Sequence, residues 1–211
     1  MWIFEIIQLA IILAVSIWMH EYAHAYVSYR LGDPTPKLQG RLTPNPLKHI
    51  DPIWFLMIFV AHFWRGKPVQ INPLYYKNPR KGELMVALAW PATNLVLAIV
   101  WILILLIYAK VMGGTPNDIF LNNWDLMINF WINFSFLNIG LAIFNLIPIA
   151  PLDWYRLIKI RWYKGAEFME KYVRFSVVLV VLLVFLASPI FVKVITFVFN
   201  FLFTIIWQIF Y

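Results

Sequence analysis

Three apolar runs dominate this chain, Trp2 to Tyr29, Glu83 to Ala109 and Leu126 to about Leu152, and a further apolar tail reaches Phe210. At 1.5 Å per residue each of the three can approach or span the ~30 Å hydrocarbon core of a bilayer. Such a chain must satisfy its backbone inside helices, because lipid offers no partner to an exposed N–H or C=O. With 63% hydrophobic residues, 13% charged residues and a mean hydropathy of +0.76, little polar surface remains for a soluble domain beside the spans. The expected fold is an all-α polytopic membrane protein with about four to five transmembrane helices, forming a single domain over residues 1–211.

The segments between the runs are short. Leu31-Gly32-Asp33-Pro34-Thr35-Pro36 breaks the first helix, since Gly and two prolines cannot continue it. Residues 37–43 alternate in part and read as a short strand or hairpin arm, and 67–71 as a second extended piece, so the expectation there is either short membrane-associated strands or plain structured loops. The apolar stretch Ile53 to Trp64 has only 12 residues, too few to cross, which points to a re-entrant or interfacial segment. Pro148 and Pro151 should unwind the end of the third run around Asn145 to Asp153. The tail, Phe175 to Ala187, Ser188-Pro189 and Ile190 to Phe210, reads as either a helical hairpin or one kinked element.

The net charge of +7 is a matter of orientation. Fifteen of the 17 Lys and Arg fall in two stretches, Arg30 to Lys81 and Arg156 to Arg174. By the positive-inside rule both stretches face the cytoplasm and the loop 111–124 is external. Attraction to anionic lipid accounts for a basic surface of this kind, so no nucleic-acid partner is expected. Cys is absent, which excludes disulfides, a thiolate nucleophile and thiolate metal ligands. The N-terminal run lacks a basic leader and a small-residue cleavage site, and is expected to be a retained span.

Polar residues inside the spans carry the chemistry. His20-Glu21-Tyr22-Ala23-His24 lies near the end of the first run. Residues four apart share a helix face, so His20 and His24 can aim imidazole nitrogens at one tetrahedral metal while Glu21 handles a water proton. In a soluble helix neighbours often satisfy such a trio; in an apolar span ionisable groups are costly and functional by default. The pattern is a zinc-hydrolase signature. A catalytic zinc needs three protein ligands and an open position for water, and this motif supplies two. Candidates for the third are Asp153, His49, His62 and the remaining acids. Topology favours Asp153, which ends a span at the same cytoplasmic depth on a proline-broken backbone suited to a cavity wall.

The ordered set of short motifs resembles the site-2 protease family of zinc intramembrane metalloproteases, in its short bacterial branch without PDZ or CBS domains. The resemblance runs over most of residues 14–158. It is carried by the His20 to His24 motif, Leu31-Gly32-Asp33-Pro34, Gly40-Arg41-Leu42-Thr43, Asn45-Pro46-Leu47-Lys48-His49-Ile50-Asp51-Pro52, Lys67-Pro68-Val69, Asn72-Pro73, Asn145-Leu146-Ile147-Pro148 and Pro151-Leu152-Asp153. It implies that His20, His24 and Asp153 ligate zinc, that Glu21 is the general base and that Asn145 positions substrate or stabilises the oxyanion. Asn94, in what resembles the family's Gly-Pro-x-x-Asn stretch, takes a supporting polar role. The implied substrate is a transmembrane protein or peptide cut in the bacterial cytoplasmic membrane, with the active site toward the cytoplasm and the extended pieces near 37–43 and 67–71 holding it by strand addition.

Tryptophan stands where that family usually has glycine, at Trp54, Trp90 and Trp154, with Trp64 a candidate fourth. Trp outnumbers Gly 11 to 8, although a chain this long usually holds roughly 15 Gly. Two explanations are open: a divergent, inactive enzyme that binds membrane clients, or a source that reads UGA as Gly and was translated with a code that makes it Trp. Recurrence at separate positions favours the second. A zinc transporter is the remaining alternative, but it calls for polar residues along a path through several spans, and here they collect at one depth.

Overall fold

The computed structural model describes residues 2–49, 69–112, 126–149, 152, 154–155, 171–172, 182 and 186–210. Among these residues the elements are helices α1 (Trp2–Arg30), α2 (Thr35–Leu38), α3 (Pro79–Val111), α4 (Leu126–Phe144) and α5 (Ser188–Phe210), with 3-10 turns at Pro46–Lys48 and Pro73–Tyr75. Four helices are long and apolar enough to cross a membrane: α1, α3, α4 and α5. The all-α membrane fold expected from the apolar runs is therefore present. The 12-residue stretch 53–64, most of the basic segment 156–174, the loop 113–125 and most of 173–185 lie outside the described residues.

Three boundaries differ from the hydropathy pattern, each for a local reason. Residues 37–43 form no strand: the chain there passes from α2 into turns. The Asp33 carboxylate accepts from Thr35 N at 2.9 Å and Pro36 supplies a preset φ in the first turn, so helix wins over the partial alternation. Helix α3 begins at Pro79, ahead of the apolar run, because the Asn78 side chain accepts from Lys81 N at 3.1 Å and Pro79 needs no donor in a first turn. Helix α4 stops at Phe144, where the unwinding expected from Pro148 begins, because a proline ring obstructs the carbonyl four residues before it.

The chain divides into two compact units, Met1–Thr93 with Asn145–Val173, and Asn94–Phe144 with Arg174–Tyr211. In the first, α1 ends at Arg30 and the chain turns at Leu31 and Gly32. Gly32 has φ +106°, and a Cβ there would come within 3.2 Å of the carbonyl of Tyr75, the last residue of the second 3-10 turn, so glycine suits both the backbone conformation and this close approach. The two 3-10 turns share one construction. Asn45 accepts from Leu47 N at 3.0 Å and Asn72 accepts from Leu74 N at 3.1 Å, with a proline following each Asn.

The second unit holds the apolar core. Ile102, Leu105 and Leu106 of α3, Ile128 and Ile139 of α4, and Phe199, Phe203 and Ile206 of α5 are buried together. Gly140 lets α4 and α5 close: a Cβ there would stand 3.2 Å from Ile195. The opposite face of α5 leaves Ile190, Phe197, Phe201 and Ile209 exposed, as a lipid-facing surface requires. Lys110 donates to the Phe210 carbonyl at 3.0 Å, placing a cation at a helix C-terminus.

Candidate metal centre

Ile12, Ser16, His20, His24 and Ser28 recur at every fourth residue of α1, and all five are buried. An apolar span tolerates polar side chains where they face protein, and α1 buries Ser16, His20, His24 and Ser28 on that stripe while Ile3, Phe4, Ile7 and Ile11 are exposed. From Trp2 to His20 the helix rises about 27 Å, which sets the two imidazoles near the far boundary of a ~30 Å core.

The His20 and His24 rings have centroids 4.5 Å apart and cross at 86°. Two nitrogens bound to one tetrahedral ion at 2.0–2.1 Å stand about 3.3 Å apart, a separation that rings this close can provide. His24 Nδ1 lies 3.0 Å from the Val86 carbonyl oxygen. A carbonyl only accepts, so Nδ1 carries the hydrogen and Nε2 the lone pair, the arrangement that orients a metal-ligating His. One turn further along α3, the Trp90 ring packs on His20 with centroids 3.7 Å apart at 88°. The pairing of 24 with 86 and 20 with 90 runs in opposite senses, so α1 and this part of α3 are antiparallel. Trp90 is buried, and its indole N–H has no hydrogen-bond partner among the described residues, which costs about 1–3 kcal/mol.

Glu21 is gripped from outside its helix. Its Oε2 accepts from Val69 N at 2.8 Å, and its Oε1 stands 3.5 Å from His20 Nε2. Val69 begins a short extended stretch whose other end, Asn72 N, donates to Asp33 Oδ2 at 2.7 Å. That same oxygen accepts from Ser28 Oγ at 2.8 Å, and the Tyr76 hydroxyl is 2.7 Å from Ser28 Oγ. The single Ser28 hydrogen goes to the carboxylate, so Tyr76 is the donor to Ser28. Burial pushes the Asp33 carboxyl up, but hydrogen bonds from Thr35, Asn72 and Ser28 outweigh it and leave its pKa below the usual value. Two buried carboxylates thus hold the two ends of residues 69–72.

Arg41 is buried beside this arrangement, with Nη1 donating to the Lys48 carbonyl. Burial lowers its pKa, and the negative charge of Glu21 acts in the opposite direction. His49 is also fully buried; its Nε2 donates to the Thr43 carbonyl at 3.0 Å and its ring faces Tyr22 with centroids 6.3 Å apart. Tyr22 is about 200° around α1 from His20, so His49, one of the candidates for the third ligand, is not brought to the two imidazoles. Burial is also the main reason that the His49 pKa falls below its usual value; the Thr43 bond raises it and the charge of Arg41 lowers it further.

Of the other candidates, Asn145 is buried just past α4 in the same compact unit as the histidines, and its carbonyl accepts from Trp154 N at 3.3 Å. Asn94 is fully buried as the first residue of the second unit, and its side-chain N and O have no hydrogen-bond partner among the described residues. Asp153, His62, Trp54 and Trp64 lie outside the described residues. Among the described residues no three His, Asp or Glu gather as a metal site. What is present fits zinc as far as it goes: two buried imidazoles, one with its tautomer fixed for Nε2 ligation, and an adjacent carboxylate. Sequence reasoning missed Asp33, Val69 and Val86 as supports of this centre. The only signal for Asp33 was its place in the Leu31 to Pro34 motif, and backbone partners leave no signal at all.

Among curated proteins the chain is 43% identical over 151 residues to "Putative zinc metalloprotease YwhC" of Bacillus subtilis (strain 168), a match covering 72% of this chain and 67% of that protein. It is 30% identical over 147 residues to "Putative zinc metalloprotease Rip2" of Mycolicibacterium smegmatis, covering 67% of this chain and 52% of that one. It is 28% identical over 151 residues to "Zinc metalloprotease MJ0392" of Methanocaldococcus jannaschii, covering 72% and 33%. The chain thus spans about half the length of Rip2 and a third of MJ0392. No family profile and no solved structure matches the chain.

Proposed function

Because the chain belongs to the site-2 protease family of zinc metalloproteases, we propose that it hydrolyses peptide bonds of membrane-embedded segments near the cytoplasmic face, with His20, His24 and Asp153 holding the metal. The observation that carries this reading is the His24 to Val86 bond, which commits a buried imidazole within an apolar span to presenting its other nitrogen beside His20 and Glu21. Zinc, when bound there, supplies acidity to a water and polarises the scissile carbonyl. Glu21 takes the proton of the attacking water and returns it to the leaving nitrogen. Val69 N–H fixes the rotamer of that carboxylate through Oε2 and leaves Oε1 on the His20 side. The Asn145 amide donates to the oxyanion as charge develops on the carbonyl oxygen. Burial of His20, Glu21, His24 and Asn145 excludes bulk water, so the substrate must unwind at this depth to present its backbone.

The test is zinc content and cleavage of a synthetic transmembrane peptide by the purified protein beside Glu21→Gln. The variant keeps an oxygen to accept from Val69 N, so it should retain zinc and lose cleavage by at least about 100-fold. Cleavage that survives the change places the chain in another mechanism.

One observation favours a second reading. Trp90 packs directly on His20, which suits a family member that keeps the metal fold and binds membrane clients without cutting them. Stoichiometric zinc and client binding with no turnover in either protein would select it.

A further inference from the structure

A second polar feature of the first unit lies apart from the metal centre. The end of α1 and the start of α3 line an open concavity of about 330 Å³, whose lining includes Arg30, Lys77 and Lys81, with Leu31, Tyr76 and Met85 between them and, among the described residues, no carboxylate. Its volume is at the lower end of the roughly 300–1,000 Å³ that small-molecule sites occupy. Among the described residues, none of the three cations makes a salt bridge with an acidic side chain. Asp33, a buried carboxylate just past the end of α1, accepts from Ser28, Thr35 and Asn72 instead.

The wall is built. Tyr76 is 4% exposed, its hydroxyl is held by Ser28, and its ring lies against Gly82, where any Cβ would collide with it. Asn78 starts α3 through Lys81 N and so fixes where Lys81 leaves the helix. The concavity also sits where one helix long and apolar enough to cross a membrane ends and another begins. Arg30, Lys77 and Lys81 are exposed at the rim of this one concavity, and an anion among them offsets their mutual repulsion. Exposed Met85 and half-buried Leu31 give an apolar flank on the membrane side.

We propose that this cavity binds the headgroup of an anionic phospholipid, its phosphodiester among Arg30, Lys77 and Lys81 and its acyl chain along Met85. The requirements are net negative charge and an attached chain, so the occupant is a lipid and not free phosphate. The proposal is independent of the hydrolase reading and rests only on α1 and α3 crossing a bilayer.

The test is native mass spectrometry of the delipidated protein in detergent, titrated with phosphatidylglycerol, with phosphatidylcholine, and with phosphatidylglycerol in the presence of millimolar inorganic phosphate. One phosphatidylglycerol should bind in preference to phosphatidylcholine and persist against phosphate. The double variant Lys77→Gln/Lys81→Gln should weaken it at least about tenfold, and Arg30→Gln should weaken it independently. The control Lys37→Gln/Lys48→Gln removes two charges from the same basic stretch but not from the cavity, and should bind as the unaltered protein does. Equal binding of the two lipids, equal loss in both double variants, or displacement by phosphate overturns the proposal. Thermal unfolding of each variant identifies any that fails to fold, and Arg30→Gln then decides.

Discussion

His24 and Val86, 62 residues apart in sequence, meet through a hydrogen bond of 3.0 Å from an imidazole nitrogen to a backbone carbonyl. The bond leaves Nε2 as the ligating atom. His24→Asn keeps a donor near the position of Nδ1 and removes Nε2, so the variant should fold while its zinc affinity falls at least tenfold, as read by metal analysis after dialysis. Full zinc content in that variant would mean that His24 is not a ligand.

Asp153 is the proposed third ligand. Asp153→Ala should lower zinc content and abolish cleavage together, whereas Glu21→Gln abolishes cleavage alone, because a ligand and a base fail differently. A structure of the zinc-loaded protein should place a carboxylate oxygen of Asp153 about 2.0–2.2 Å from the ion. If the carboxylate points elsewhere, His62 becomes the next candidate.

Asp33 accepts from Thr35 N on one oxygen and from Asn72 N and Ser28 Oγ on the other. Whichever way an Asn side chain is turned, its amide NH2 faces one of those backbone N–H groups. Asp33→Asn should therefore destabilise the protein by about 1–3 kcal/mol, measured by thermal or chemical unfolding in detergent. An unchanged midpoint would show that the network contributes no stability.

His49 gives the fold a dependence on pH. Its folded pKa lies below the usual value of about 6.5, so the unfolded chain takes up the proton first as pH falls. The contribution to stability is complete above about 6.5 and is lost as pH falls from there through the folded pKa. Unfolding midpoints at pH 7.5 and 5.5 should differ more for the unaltered protein than for His49→Gln. Equal differences would remove His49 from the account.

Trp90 crowds His20 and buries an indole N–H without a hydrogen-bond partner among the described residues. Both facts suit a position meant for glycine, and the coding triplets at 54, 90 and 154 should read TGA, with glycine found there by mass spectrometry of the native protein. TGG at these positions ends the recoding account and leaves Trp90 as a true neighbour of the metal centre.

The membrane class, the helical spans and the shared face of His20 and His24 were legible in the residues alone. These follow from composition and from a period of 3.6 residues, which are local properties. Capping residues moved the ends of those helices: Asn78 with Pro79 started α3 early, and Pro148 ended α4 at Phe144. What holds the centre in place came from long-range packing. Val86 acts through its carbonyl and Val69 through its amide, groups that every residue carries and that no side-chain pattern marks. Asp33 grips Asn72 across 39 residues, and His49 turns toward Tyr22, away from the two imidazoles. Such pairings depend on which segments fold against each other, a relation set by packing between helices and not by spacing along the chain.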